Sequence, residues 1–253
     1  MLRWIRADLH VHTCLSPCGE LAMSPRRIAL EAKRRELDVI AITDHNSAEN
    51  VTAVQGAARA TGVTVLPGLE VCSSEEVHVL ALFDDLAPAL VMQDEVYGGI
   101  TAVNDPDSFG LQVIANEDDE VEGFQPRLLI GATQMSVDDI VRRIHDLGGL
   151  AVASHVDRES FGIIGQLGFI PSDLRFDALE ISPAAQDEQV RDLSREYPEY
   201  VFIRNSDAHM PAQIGAAVTR FFIEAPTCRE LGRAFRHEGG RTVQSQVRGA
   251  AEH

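Results

Sequence analysis

A chain of 253 residues with 45% apolar and 24% charged side chains has an ordinary globular composition and can bury a substantial core without disulfides. Its net charge of -17 repels phosphate backbones, which argues against a track for long nucleic acid but leaves open a small anion held by metal ions. The residues before Asp8 are too few and too polar for a signal peptide, and no apolar run reaches membrane-spanning length, so a cytoplasmic protein with no membrane partner is expected.

Taken in order, Ile5 to Thr13 reads as a strand that places Asp8, His10 and His12 on one face and Leu9 and Val11 on the other. Two imidazoles and a carboxylate side by side can grip a metal ion, although a surface strand can also carry two histidines by chance. Ser24 and Pro25 open a helix that runs to about Glu36. Val39 to Thr43 is a continuous apolar run, as for a strand covered on both faces, and it ends at Asp44 and His45. A helix from Ser47 carries Val51, Val54 and Ala58 on one face and stops at Gly62. Strands follow over Val63 to Val71, with Gly68 and Glu70, and over Val77 to Phe83, with His78.

From about residue 86 to 130 the pattern turns polar, punctuated by Gly and Pro, with an acidic run from Glu117 to Glu122. It reads as an insertion, either a lid over a site or, preferably, a solvated excursion or a packing element for a second subunit. Ser136 then caps a helix with Val137, Ile140, Val141, Ile144 and Leu147 on its apolar face, and Leu150 to Ser154 forms a strand ending at His155. Further strands are expected at Ala178 to Ile181, at Val201 to Arg204 leading into Asn205 to His209, and at Thr219 to Glu224. Helices through Val190 and Leu193 and after Thr227 complete a single domain over residues 1–240, with 241–253 as a fraying tail. About seven strand-helix units with polar clusters at strand C-termini fit a distorted β/α barrel better than an open sheet.

Six of the nine histidines, His10, His12, His45, His78, His155 and His209, fall at or near strand ends, together with Asp8, Asp44, Glu70 and Asp207. Such sorting points to a multi-metal site. His145, His237 and His253 read as solvated. The ordered motifs Asp8-Leu9-His10-Val11-His12-Thr13, Thr43-Asp44-His45, Gly68-Leu69-Glu70, His78, His155 and Ser206-Asp207-Ala208-His209 resemble those of the polymerase and histidinol phosphatase (PHP) superfamily. The resemblance implies an α/β fold, a distorted seven-stranded TIM-like barrel, and two to three divalent ions, commonly zinc, manganese or iron. It implies one ion held by His10, His12, Glu70 and Asp207, a second by the bridging Glu70 with His78 and His155, and a third by His45 and His209. Many relatives complete the third site with a histidine where this chain has Cys18, which either supplies a thiolate or merely sits in the Ser16 to Gly19 turn.

Asp8 and Asp44 are expected to orient ligand histidines, and Glu180 either does likewise or only closes a polar network. Arg158 either reaches a phosphate oxygen or makes a surface ion pair. Cys14, Cys18, Cys72 and Cys228 are spaced as neither a zinc knuckle nor a disulfide framework and are expected to be free thiols.

Clustered ions imply hydrolysis of phosphoesters by a bridging hydroxide, with Glu70, Asp207 and His209 at the reacting centre. Phosphomonoesters of small molecules, nucleotides or short oligonucleotides are the expected substrates, with histidinol phosphate or a 5'-to-3' exonuclease substrate as alternatives. Readings from other classes are an amidohydrolase, which often bridges its metals with a carboxylated lysine, and a catalytically silent metal-stabilised module. The only lysine, Lys33, lies within the first helix, and only the Cys18 position departs from the ligand pattern.

Overall fold

The computed structural model describes residues 1–247. Its strands are β1 (Arg3–Val11), β2 (Val39–Ile42), β3 (Thr64–Cys72), β4 (His78–Leu82), β5 (Val113–Ala115), β6 (Val121–Phe124), β7 (Leu150–Ala153), β8 (Ala178–Ile181), β9 (Phe202–Arg204), β10 (Ala217–Ile223) and β11 (Thr242–Val247). Its helices are α1 (Pro25–Arg34), α2 (Val51–Ala58), α3 (Leu86–Gly99), α4 (Pro106–Phe109), α5 (Val137–Asp146), α6 (Ile163–Leu167), α7 (Asp187–Glu196) and α8 (Cys228–Phe235). Among the described residues no helix is long and apolar enough to cross a membrane.

Nine strands form one sheet in the order β11-β10-β1-β2-β3-β4-β7-β8-β9, and a second sheet pairs β5 with β6. Seven strands from β1 to β9 make the wall of a nearly closed barrel, and all of them run parallel except β4, which is antiparallel to both β3 and β7. The ends of the sheet meet without a full ladder. His12 N donates to Ala208 O at 3.0 Å, and the Thr219 hydroxyl bonds both the N–H and the carbonyl of Arg204 at 2.9 and 2.8 Å.

The apolar run of β2 is buried throughout because it is covered on both sides. Val39 and Ala41 join Ile5, Leu66, Leu80, Val152, Ala178 and Phe221 in the barrel interior, whose base α8 fills with Leu231 and Phe235. Ile40 and Ile42 pack outward with Ile28 and Ala32 of α1 and Val51 and Val54 of α2. Strict alternation fails in β1, whose register with β2 shifts between Asp8 and Val11. Ile5, Ala7 and Leu9 belong to the interior cluster whereas Val11 lies outside it, so Asp8 does not share a face with His10 and His12.

Two expectations are corrected. The segment from residue 86 begins with α3, a 14-residue helix that buries Ala89, Met92, Gln93, Val96 and Tyr97 against the body of the protein, a helical spacing that the Pro and Gly punctuation hid. The part that follows is fastened rather than loose. Asn50 donates to Val113 O at 3.0 Å and accepts from Ala115 N at 3.0 Å, and Asn46 donates to the Leu129 and Gly131 carbonyls. The expected tail is a strand as far as Val247, because β11 pairs along β10 from Phe222 to Ala217. Residues 248–253 lie outside the described residues.

Candidate metal centre

Strand direction assembles the site. The C-terminal ends of β1, β2, β3, β7 and β9 lie at one end of the barrel and deliver His10, His45, Glu70, His155 and Asp207 to it. His78 opens β4 and pairs with Cys72 at the end of β3, so the reversed strand brings its first residue to that same end.

Glu70, 1% exposed, is the hub. Its Oε1 lies 3.3 Å from His10 Nε2, 3.0 Å from His78 Nδ1 and 3.2 Å from His155 Nε2. Its Oε2 lies 3.4 Å from His12 Nε2 and 3.0 Å from His45 Nδ1. Asp207 Oδ1 stands 3.3 Å from His10 Nε2 and 3.2 Å from His12 Nε2, and His209 stacks on His12 with ring centroids 4.1 Å apart. Three groups close enough to share an ion are His10, His12 and Glu70; His45, Glu70 and His78; and His12, His45 and His209.

This donor set fits divalent metal. Five imidazole nitrogens crowd two carboxylate oxygens, and His10 Nε2 faces His12 Nε2 at 3.1 Å, a contact that at most one proton can bridge. His45 Nδ1 is buried beside Glu70 yet forms no well-aligned hydrogen bond, and His78 Nε2 and His155 Nδ1 are buried without a partner. Nitrogen and oxygen donors of this kind suit zinc, manganese and iron.

The charges are strongly coupled. Burial opposes ionisation of Glu70, but His78, His10 and His45 overcome it and hold the carboxyl well below its usual range. Burial would likewise discharge His45, whereas Glu70 and the Cys18 thiol raise it to about 10. For Cys18, burial pushes the thiol up, and hydrogen bonds with His209 and His45 outweigh it, bringing the thiol down to about 6. Cys18 is exposed as a residue, unlike the buried Cys14, Cys72 and Cys228.

Neither Asp8 nor Asp44 touches a histidine ring, contrary to expectation. Asp8 accepts from Ser206 N at 2.9 Å and Gly215 N at 2.8 Å, and so ties down the loop that carries Asp207. Asp44 binds Thr13 and the Ser16 hydroxyl, and Ser16 Oγ is in turn 2.9 Å from His12 Nδ1. The carboxylate on a ring is Glu180, 2.9 Å from His10 Nδ1 and itself bonded by Asn205 Nδ2 and His155 N. Its place at a strand end was the only sequence signal. Arg158 NH1 sits 2.8 Å from Asp207 Oδ2 at the rim, its side chain 42% exposed. Left-handed backbone at Asn46, His155, Phe161 and Asp207 concentrates strain around the same loops. All four cysteines are free, and burial pushes Cys14 and Cys72 up to about 12, as for packing residues.

Comparison with known proteins matches residues 8–159 to the PHP domain model. The chain belongs to the PHP family. This PHP protein is built on the distorted barrel that its motifs led one to expect. An uncharacterized protein of Methanocaldococcus jannaschii is 31% identical over 101 residues, covering 36% of this chain and 59% of its own. The lesion-specific endonuclease PfuEndoQ of Pyrococcus furiosus superposes with a TM-score of 0.72 at 20% identity, over 95% of this chain and 58% of that one. The chain thus spans less than two-thirds of either relative. An amidohydrolase from Chromobacterium violaceum, solved with sulfate and no metal, superposes with a TM-score of 0.58 at 19% identity, over 98% and 99% of the two chains.

Proposed function

We propose that this PHP protein hydrolyses phosphomonoesters of small molecules, nucleotides or short oligonucleotides with two to three divalent ions, zinc, manganese or iron, at the top of the barrel. The observation that carries the reading is the convergence of five histidines on both oxygens of the buried Glu70. In this reading Glu70 is shared between His10, His12 and Asp207 on one side and His78 and His155 on the other. His45, His209 and Cys18 hold the third ion.

Metal held by these residues would supply Lewis-acid chemistry, activating a water and offsetting the charge of a phosphoryl group. The chain's own residues supply the geometry. Glu180 fixes the His10 ring, Ser16 carries the influence of Asp44 to His12, and His10, His12, His45, Glu70, His78 and His155 are all buried. At that rim Arg158 presents a guanidinium able to donate twice to a phosphate, beside Asp207 and the partly exposed His209.

The acidic surface favours ligands with one or two phosphates, since charges outside the pocket are repelled. A cytoplasmic site of action belongs to the same proposal. A nuclease acting at ends or lesions of nucleic acid is the second reading, motivated by the fold likeness to PfuEndoQ. An amidohydrolase bridged by a carboxylated lysine is disfavoured, because Lys33 lies exposed on α1 while Glu70 occupies the hub.

The test is phosphate release from a panel of phosphorylated metabolites, nucleotides and short oligonucleotides, with metal content measured on the same preparation. Turnover of a small phosphomonoester supports the proposal, and turnover confined to lesion-bearing or long nucleic acid supports the second reading instead.

A further inference from the structure

The loop that follows β7 does more than carry His155. His78 N–H, the first backbone donor of β4, is taken by the Phe161 carbonyl at 2.9 Å, and the Phe161 ring stacks on the His78 imidazole with centroids 4.5 Å apart and planes 20° from parallel. The other aromatic neighbours of His78, His45 and His155, meet it at steep angles of 58° and 59°. Phe161 is therefore the flat surface against which that imidazole rests.

Its backbone is set for the task at a cost. Phe161 adopts a φ of +61°, a left-handed conformation that a bulky side chain rarely takes and that is strained. The next residue must be small, because a Cβ at Gly162 would stand 2.5 Å from Arg158 O and 2.9 Å from His155 O. The segment is thereby wound tightly between His155, whose ring faces Glu70, and the Phe161 stack, with Arg158 reaching Asp207 from the same turn.

The geometry points to Phe161 as a positioning residue that sets the His78 ring for metal binding. The inference rests on the proposed role of His78 as a ligand. A partner of a metal-bound histidine typically governs about 10- to 100-fold in metal affinity. Phe161 acts here by stacking and by its carbonyl, where a carboxylate more often acts by hydrogen bonding.

Three variants separate positioning from packing. Phe161→Leu keeps apolar cover but removes the flat ring, Phe161→Gly removes the ring while easing the left-handed backbone, and Phe161→Tyr keeps the stack. Zinc and cobalt affinities are measured by chelator competition, bound equivalents by elemental analysis, and thermal unfolding on the metal-stripped proteins. The expected result is that Leu and Gly weaken one equivalent about 10- to 100-fold with unfolding temperatures close to wild type, while Tyr restores wild-type binding. Should Gly fail to fold, Leu alone carries the comparison. Wild-type affinity and stoichiometry in Phe161→Leu would overturn the inference. Failure of the metal reading itself shows differently, as wild-type protein that binds no metal, and failure of the substrate reading leaves the binding measurement intact.

Discussion

His10 Nδ1 lies 2.9 Å from Oε2 of Glu180, while the opposite nitrogen of the same ring faces Glu70 and Asp207 at 3.3 Å. The ring is thus held from behind by a buried carboxylate and aimed into the cluster. Burial alone would discharge this histidine, but Glu180, Glu70 and Asp207 together raise its pKa well above the ordinary value. Glu180→Gln should keep the Asn205 contact but lose the charge behind the ring, weakening metal binding about 10- to 100-fold. Chelator competition measures this, and an unchanged affinity would remove Glu180 from the site.

Cys18 bears on metal identity. A Cys18 thiolate joined to His45 and His209 on one ion would favour zinc or iron over manganese. Cys18→Ser should therefore lower zinc retention more than manganese retention, measured as bound equivalents after dialysis against each ion. Identical metal profiles would assign Cys18 to its turn and nothing more.

The sequence made the barrel strands legible because their apolar runs are continuous, and Val39 to Ile42 is buried at every position as such a run requires. The reversal of β4 was also encoded, since the short link from Cys72 to His78 is too brief for a parallel crossover. What alternation could not reveal is the register shift after Asp8, which separates that carboxylate from His10 and His12. The partnership of Glu180 with His10 spans 170 positions and depends on barrel closure, so no local pattern announces it. Cys18 stayed ambiguous for a related reason: its turn is local, but its neighbours His45 and His209 come from two other loops.

Beyond the site, Glu230 on α8 accepts from Arg241 Nε at 2.8 Å and NH2 at 2.9 Å, fastening the start of β11. The Arg241 contact, ahead of the opposing effect of burial, lowers the Glu230 pKa from 4.5 to about 2. A depressed carboxylate contributes stability above its unfolded value and loses it as pH falls through its folded value. The stability difference between wild type and Glu230→Gln should therefore be full above pH 4.5 and shrink between there and about pH 2. Denaturant titrations across that range test this, and a difference independent of pH would show that charge is not what fastens the strand.

Charge also predicts how substrate length and salt interact. With a net charge of -17, activity on longer oligonucleotides should rise as salt screens repulsion, while activity on a small phosphomonoester should change little. Rates on both at several ionic strengths make the comparison. Efficient degradation of long nucleic acid at low salt, with no small phosphomonoester turned over, would reverse the substrate assignment.

The most direct test of a shared carboxylate is Glu70→Gln, assayed for bound metal and for turnover in one preparation. Both oxygens of Glu70 face histidines, so one substitution should reduce metal at more than one position and abolish phosphoester hydrolysis while the protein stays folded. A folded Glu70→Gln protein that keeps wild-type metal content and near-normal turnover would contradict the account.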